Sequence, residues 1–160
     1  MPTQRTEFTE LVDPPIPVRT KLAAAWTSFM FLYIYVDYLH LYKPGAVSDI
    51  LAGVVWEFDI SETFAVAALA LVAIPIFMIV LSMTAPASRN RITNLVIAGL
   101  YIPYSMFNIV GGSWMTFYGL GVVLELILLG IILRCAWTWP RSATARTPDA
   151  AAQLSPTLNP

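Results

Sequence analysis

The chain has 160 residues, 58% of them hydrophobic and only 12% charged, with a mean hydropathy of +0.68. A soluble domain carries charge on about a quarter of its residues, so lipid is the expected solvent for most of this surface, and the length leaves no room for a separate soluble enzyme. A single cysteine, Cys135, excludes an internal disulfide framework and any CxxC redox centre.

Residues 1–20 are polar and proline-rich ("VDPPIPV") and read as a flexible or surface-lying leader. They hold no short signal-peptide core, and no A-x-A-type site follows the first apolar stretch, which is therefore an uncleaved anchor. Apolar runs predict membrane spans at about 22–42, 63–83, 92–110 and 115–136. Each is close to the roughly 20 residues that a helix needs to cross about 30 Å of hydrocarbon. Lipid requires each span to satisfy its own backbone, which favours helices at these lengths. The expected fold is all-α: a polytopic four-helix transmembrane bundle over residues 21–140.

The connections fit that count. "TAPASRNR" (84–91) is a polar, proline-containing break, and "GGS" (111–113) permits a tight reversal. The long first connection, 43–62, is expected to hold a short interfacial helix or lid capped by Ser48, with Ile50, Leu51, Val54, Val55, Trp56 and Phe58 in the interface. Residues 141–160, rich in Ala, Thr, Ser and Pro, read as a disordered tail.

Cations are sorted by position. Arg5, Arg19, Lys21, Arg89, Arg91, Arg134, Arg141 and Arg146 fall on one side of the predicted spans, and Lys43 alone on the other. The positive-inside rule then puts both termini in the cytoplasm of a multi-pass protein of the plasma or inner membrane. The outer connection is acidic, with Asp49, Glu57, Asp59 and Glu62. Trp26, Trp137 and Trp139 are expected at the inner interface, Trp56 and Trp114 at the outer one.

Two carboxylates, Asp37 and Glu125, fall within spans. An aspartate at mid-bilayer costs roughly 2.5–3.5 kcal/mol on insertion scales, so both should face the bundle. Tyr33, Asp37 and His40 share one face of the first helix. The third span offers Asn94, Tyr101, Tyr104, Ser105 and Asn108, and the fourth Trp114, Tyr118, Gly121 and Glu125. The second, nearly all apolar, offers alanines for close packing. Tyr33, Asp37, His40, Tyr104, Asn108, Tyr118 and Glu125 are the candidate ligand-binding residues of an outward-open polar cavity. The alternative for each is a satisfied interhelical network. Pro75 and Pro103 each remove a helix bond, and the freed carbonyls of Leu71 and Gly99 either line the same cavity or accommodate a kink.

No cofactor or metal is expected. One histidine cannot supply a bis-histidine haem site, Asp37 with His40 is a weak metal pair, and no phosphate-binding loop, nucleophile elbow or HExxH motif is present.

The stretch "KLAAAWTSFMFLYIYVDYLHLYKPG", with "ILAG", "AIP" and "AWTWP" further on, resembles a family of small four-helix bacterial membrane proteins of no established function. The resemblance spans about Lys21 to Pro140 and implies fold and location, with no catalytic residues. In architecture alone the chain is also similar to sterol-isomerase-like and sigma-2-like membrane proteins, which place carboxylates in a ligand cavity.

The leading expectation is a non-enzymatic bundle, partnered by the bilayer and not by nucleic acid, that binds or passes a small amphipathic or cationic molecule. The alternatives are an isomerase-like acid/base enzyme on a lipidic substrate and an accessory or assembly subunit with purely structural carboxylates. Four helices without a repeat are few for a monomeric transporter, so transport would call for a homo-oligomer. Reporter fusions test the orientation. A fusion at residue 160 should give a cytoplasmic signal and one within 46–56 an external signal, and the reverse pattern would overturn the assignment.

Overall fold

Prolines punctuate the chain where helices begin. Pro17 and Pro86 sit at the N-caps of two of them with φ of −57° in both cases, positions where the missing proline N–H costs nothing. The structure, a computed structural model, describes residues 14–109 and 113–140. Most of the expected leader, the 111–112 reversal, the end of the third predicted span at Val110 and the expected tail lie outside the described residues, as do Arg5, Arg141 and Arg146.

The described residues are mostly helical. Helix α1 runs Val18–His40, the short α2 Ala46–Leu51, α3 Glu62–Thr84, α4 Ala87–Phe107 and α5 Met115–Trp137. Between α2 and α3 lies a hairpin of two-residue strands, β1 (Val54–Val55) and β2 (Phe58–Asp59). Helices α1, α3 and α5 have 23 residues each and are long and apolar enough to cross a membrane. At 1.5 Å per residue each spans about 35 Å. Helix α4 begins five residues earlier than its apolar run suggests. Hydropathy marks where a helix becomes apolar, whereas Pro86 marks where it starts.

Helix α1 packs against α3 and α5, and α4 packs against α5 and more lightly against α3. The core lies toward the end formed by the start of α1 and the end of α5: Leu22, Trp26, Phe29, Met78, Ala98, Tyr101, Leu129 and Ile132 are all buried. Trp26 is fully buried in this core and is not an interface anchor, which corrects the expectation for it. Its ring meets Phe29 and Tyr101 edge-on, with centroids 5.8 and 6.3 Å away, a geometry worth about 0.5–1.5 kcal/mol per pair beyond burial.

Polar groups inside this core form a chain. Trp26 Nε1 donates to Asn94 Oδ1 at 2.7 Å, Asn94 Nδ2 donates to Asn90 Oδ1 at 2.7 Å, and Asn90 Nδ2 donates to the Ser82 carbonyl at 2.6 Å. Helices α1, α4 and α3 are thereby joined through one buried network. Asn90 and Asn94 can stack because they are four residues apart on α4.

Pro75 removes the helix bond to the Leu71 carbonyl. That carbonyl accepts a hydrogen bond from Tyr101 Oη at 2.5 Å, the re-satisfaction that an interrupted helix in an apolar setting requires. Two basic side chains finish other helix ends. Arg19 donates to the Met83 carbonyl at 2.9 Å and Arg91 Nε to the Ala136 carbonyl at 3.2 Å. Guanidinium groups suit the partial negative charge at helix C-termini.

The α1–α5 contact is tight at Gly121, where any larger residue must displace the Val36 side chain. A Cβ added at Gly121 would lie 3.1 Å from Val36 Cγ2.

Two substitutions probe this packing. Asn94→Leu strands the buried Trp26 indole N–H and should destabilise the folded protein by about 1–3 kcal/mol, read by denaturant titration in micelles. Combined with Trp26→Phe, its added cost should shrink, because the stranded donor is gone. Gly121→Leu should cost about 1–3 kcal/mol by forcing α1 and α5 apart, with Gly121→Ala clearly milder in the same titration.

Candidate functional site: a carboxylate cavity under a hairpin

At the other end of the helices the chain leaves α1 through a run of tight turns. The Lys43 amide donates to the His40 carbonyl at 3.0 Å, and the Ala46 amide to the Lys43 carbonyl at 3.0 Å. Gly45, with φ of +92°, then turns the backbone into α2 through a left-handed conformation that favours glycine. Gly45, and not Ser48, is the cap of this helix. The Ser48 hydroxyl lies inside the first turn and donates back to the Gly45 carbonyl at 2.7 Å.

The hairpin follows. Val54 pairs with Asp59 and Val55 with Phe58, leaving Trp56 and Glu57 as a two-residue loop. Such loops need a left-handed residue to match the strand twist, normally Gly or Asn. Here Trp56 fills that place with φ of +55°, a conformation that costs a bulky residue about 1–3 kcal/mol and persists only where the surroundings hold it. The holding contacts are aromatic: the Trp56 ring lies 5.7 Å from that of Phe58 and 5.8 Å from that of Phe107 on α4.

Beneath Trp56 lies a cavity of about 260 Å³. Six of the seven sequence-derived candidates stand around it: Tyr33, Asp37 and His40 from α1, Asn108 at the end of α4, and Tyr118 and Glu125 from α5. Tyr104 does not. It stands behind Tyr33, the two hydroxyls hydrogen-bonded at 2.7 Å and the rings stacked 6.4 Å apart. His40 Nδ1 is hydrogen-bonded to the Tyr118 hydroxyl. The Tyr33 and His40 side chains thus bond to tyrosines, and neither bonds to Asp37.

Asp37 is exposed and makes no side-chain hydrogen bond among the described residues. Glu125 differs. It is 2% exposed, and its Oε2 has no hydrogen-bond partner among the described residues. The nearby hydroxyl of Ser105, also buried, is likewise unpartnered. The site therefore presents one accessible carboxylate and one buried one on the walls of the same cavity.

Sequence reasoning missed Lys43, Trp56 and Phe107 as wall residues, together with Val36, Val55 and Val122. Lys43 carried a signal, since it lies three residues beyond His40 and continues the Tyr33–Asp37–His40 face. Its ammonium stands 5.9 Å from the centroid of the Tyr118 ring. Trp56 carried none, because no turn-forming residue announces the hairpin at that point. Among the described residues no group of three or more His, Cys, Asp or Glu side chains gathers as a metal site.

No curated protein and no solved structure matches the chain. A family described as a family of unknown function, DUF6326, matches residues 17–146. That range runs from the cap of α1 past the end of α5 and includes every residue on the cavity wall. The chain belongs to the DUF6326 family.

Proposed function

We propose that the chain crosses the membrane four times with both termini cytoplasmic, and that the cavity opens outward to bind a small cationic or amphipathic molecule. The fourth span in this reading is α4, whose average composition is its least membrane-like feature. Its polar residues Asn90, Asn94 and Ser105 are buried, while Ile92, Val96 and Leu100 are 53–62% exposed on its outer face. Lipid meets the face and not the average. Exposed large apolar residues along α3 (Val66, Leu69, Phe77, Val80) and α5 (Leu120, Val123, Ile127) form the same kind of surface, far beyond what a water-facing monomer tolerates.

The observation that carries the ligand reading is the pair of carboxylates facing one cavity, Asp37 with no side-chain hydrogen bond and Glu125 with its Oε2 unpartnered among the described residues. A buried carboxylate normally has its oxygens satisfied, and intramembrane acids mark functional paths when they face a cavity. A structural role for Asp37 would use Tyr33 or His40, and both are engaged with tyrosines. Tyr33, Tyr118, Trp56 and Phe107 supply aromatic surface around the carboxylates, a combination that favours a cation through its charge and through the ring quadrupoles. The volume suits a molecule of metabolite or headgroup size, below the roughly 300–1,000 Å³ of drug-sized sites.

Choline binding to purified protein in lipid nanodiscs, followed by calorimetry, tests this. Asp37→Asn and Glu125→Gln should each weaken binding about tenfold or more while leaving the thermal unfolding transition near that of the parent. A cysteine introduced as Asp37→Cys in a Cys135→Ser background should react with a membrane-impermeant thiol reagent applied from outside, more slowly when choline is present. Unchanged choline affinity in both carboxylate variants, or no labelling at position 37, would remove the outward-open site. A purely structural pair would show itself as altered stability alone.

A further inference from the structure

Lys43 stands on the wall of a cavity that also presents Asp37 and Glu125. A lysine that shares a cavity wall with two acids can settle into an ion pair where its side chain reaches one. Among the described residues it does not, and the Nζ rests instead over the face of Tyr118. The Lys43 backbone is held on both sides by turn hydrogen bonds, which root its flexible side chain at the outer mouth. Glu125 lies ten residues into α5, roughly 15 Å below the start of that helix, and Asp37 stands between the two levels. The cavity is therefore polarised along the helix axis, positive at the mouth and acidic below, and neither pole is neutralised by the other.

A simple cation satisfies the acids but must pass the ammonium. A simple anion satisfies Lys43 but meets two carboxylates. The first leaves the half-buried Lys43 without a complement and the second leaves both carboxylates so, which is costly where water is scarce. A molecule with a cationic end and an anionic end answers both poles at once, and like-charge repulsion then works against competitors that carry only one of them. Resting on the cation-site reading above, the geometry points to a zwitterion as the ligand class: an ammonium group joined by a short linker to a phosphate or carboxylate, with the ammonium inward among Asp37, Glu125 and the rings and the anion outward at Lys43. The same chemistry exists in free small zwitterions and in the headgroups of zwitterionic lipids.

Three probes share one trimethylammonium group and separate these cases: choline, glycerophosphocholine and lysophosphatidylcholine, each measured against the full-length protein in nanodiscs of anionic lipid. Both phosphodiester probes, or the lysolipid alone, should bind about tenfold tighter than choline, the size expected for one charge-assisted contact. Tighter binding of glycerophosphocholine identifies a soluble ligand as sufficient, and tight binding of the lysolipid alone identifies a headgroup. Lys43→Met should abolish the preference, weakening the phosphodiester probes about tenfold while leaving choline equal or tighter, and Lys43→Arg should keep the parent preference. If choline binds and depends on Asp37 but neither phosphodiester binds better, or if Lys43→Met weakens all three alike, the zwitterion assignment is wrong and the cation site stands. If none of the three binds, both readings fail.

Discussion

In a solvent that offers no hydrogen bonds, a buried indole N–H must find its acceptor inside the protein, and here the acceptor is Asn94. That bond fixes the rotation of α1 against α4. Asn94 is held in turn by Asn90, and Asn90 by the Ser82 carbonyl of α3, so three helices take their mutual rotation from one chain of amides. Once Trp26 faces Asn94, the residues above it on α1 follow at helical spacing. Tyr33 meets Tyr104, and Asp37 and His40 face the space bounded by α5. The cavity at one end is the geometric consequence of the latch at the other.

The two ends solve opposite problems. The Trp26 end ties Trp26, Asn94 and Asn90 into one buried chain of hydrogen bonds, with the Ser82 hydroxyl left unpartnered beside it among the described residues. The Lys43 end leaves Glu125 Oε2 unpartnered among the described residues, keeps a tryptophan in a left-handed backbone conformation, and encloses space. Trp26, Asn94 and Asn90 show that this chain can bring buried polar side chains into mutual hydrogen bonds, so composition alone does not force the other half to leave carboxylates open. Departures from local rules concentrated in one region are what a functional site looks like in an otherwise consistent fold.

Much of this was legible in the sequence because lipid-length apolar runs and helical periodicity are strong signals. The faces of α1 and α5 could be drawn from spacing alone, and Tyr33, Asp37, His40, Tyr118 and Glu125 fall together for that reason. What could not be read is instructive. Hydropathy treats Trp26 like any interfacial tryptophan, since nothing local distinguishes an indole whose N–H meets a lipid headgroup from one whose N–H meets Asn94. The partner of the Leu71 carbonyl is 30 residues away on another helix, beyond the reach of any local pattern. Lys43 and Trp56 enter the wall through loop conformation, which depends on φ at a few residues. Trp56 violates the residue preference from which such turns are inferred.

Arg19 and Arg91 lead somewhere further. Each supplies part of the positive charge by which orientation was read, and each also closes the carbonyl end of a neighbouring helix. Charge sign acts while a chain is being threaded; directional N–H geometry acts once it is assembled. Lysine carries the first property as well as arginine does, but it lacks the planar fork that aims at a carbonyl. Insertion and consolidation thus draw on different attributes of the same two side chains, and an arginine-to-lysine exchange at either position separates a fault in threading from a fault in tightening.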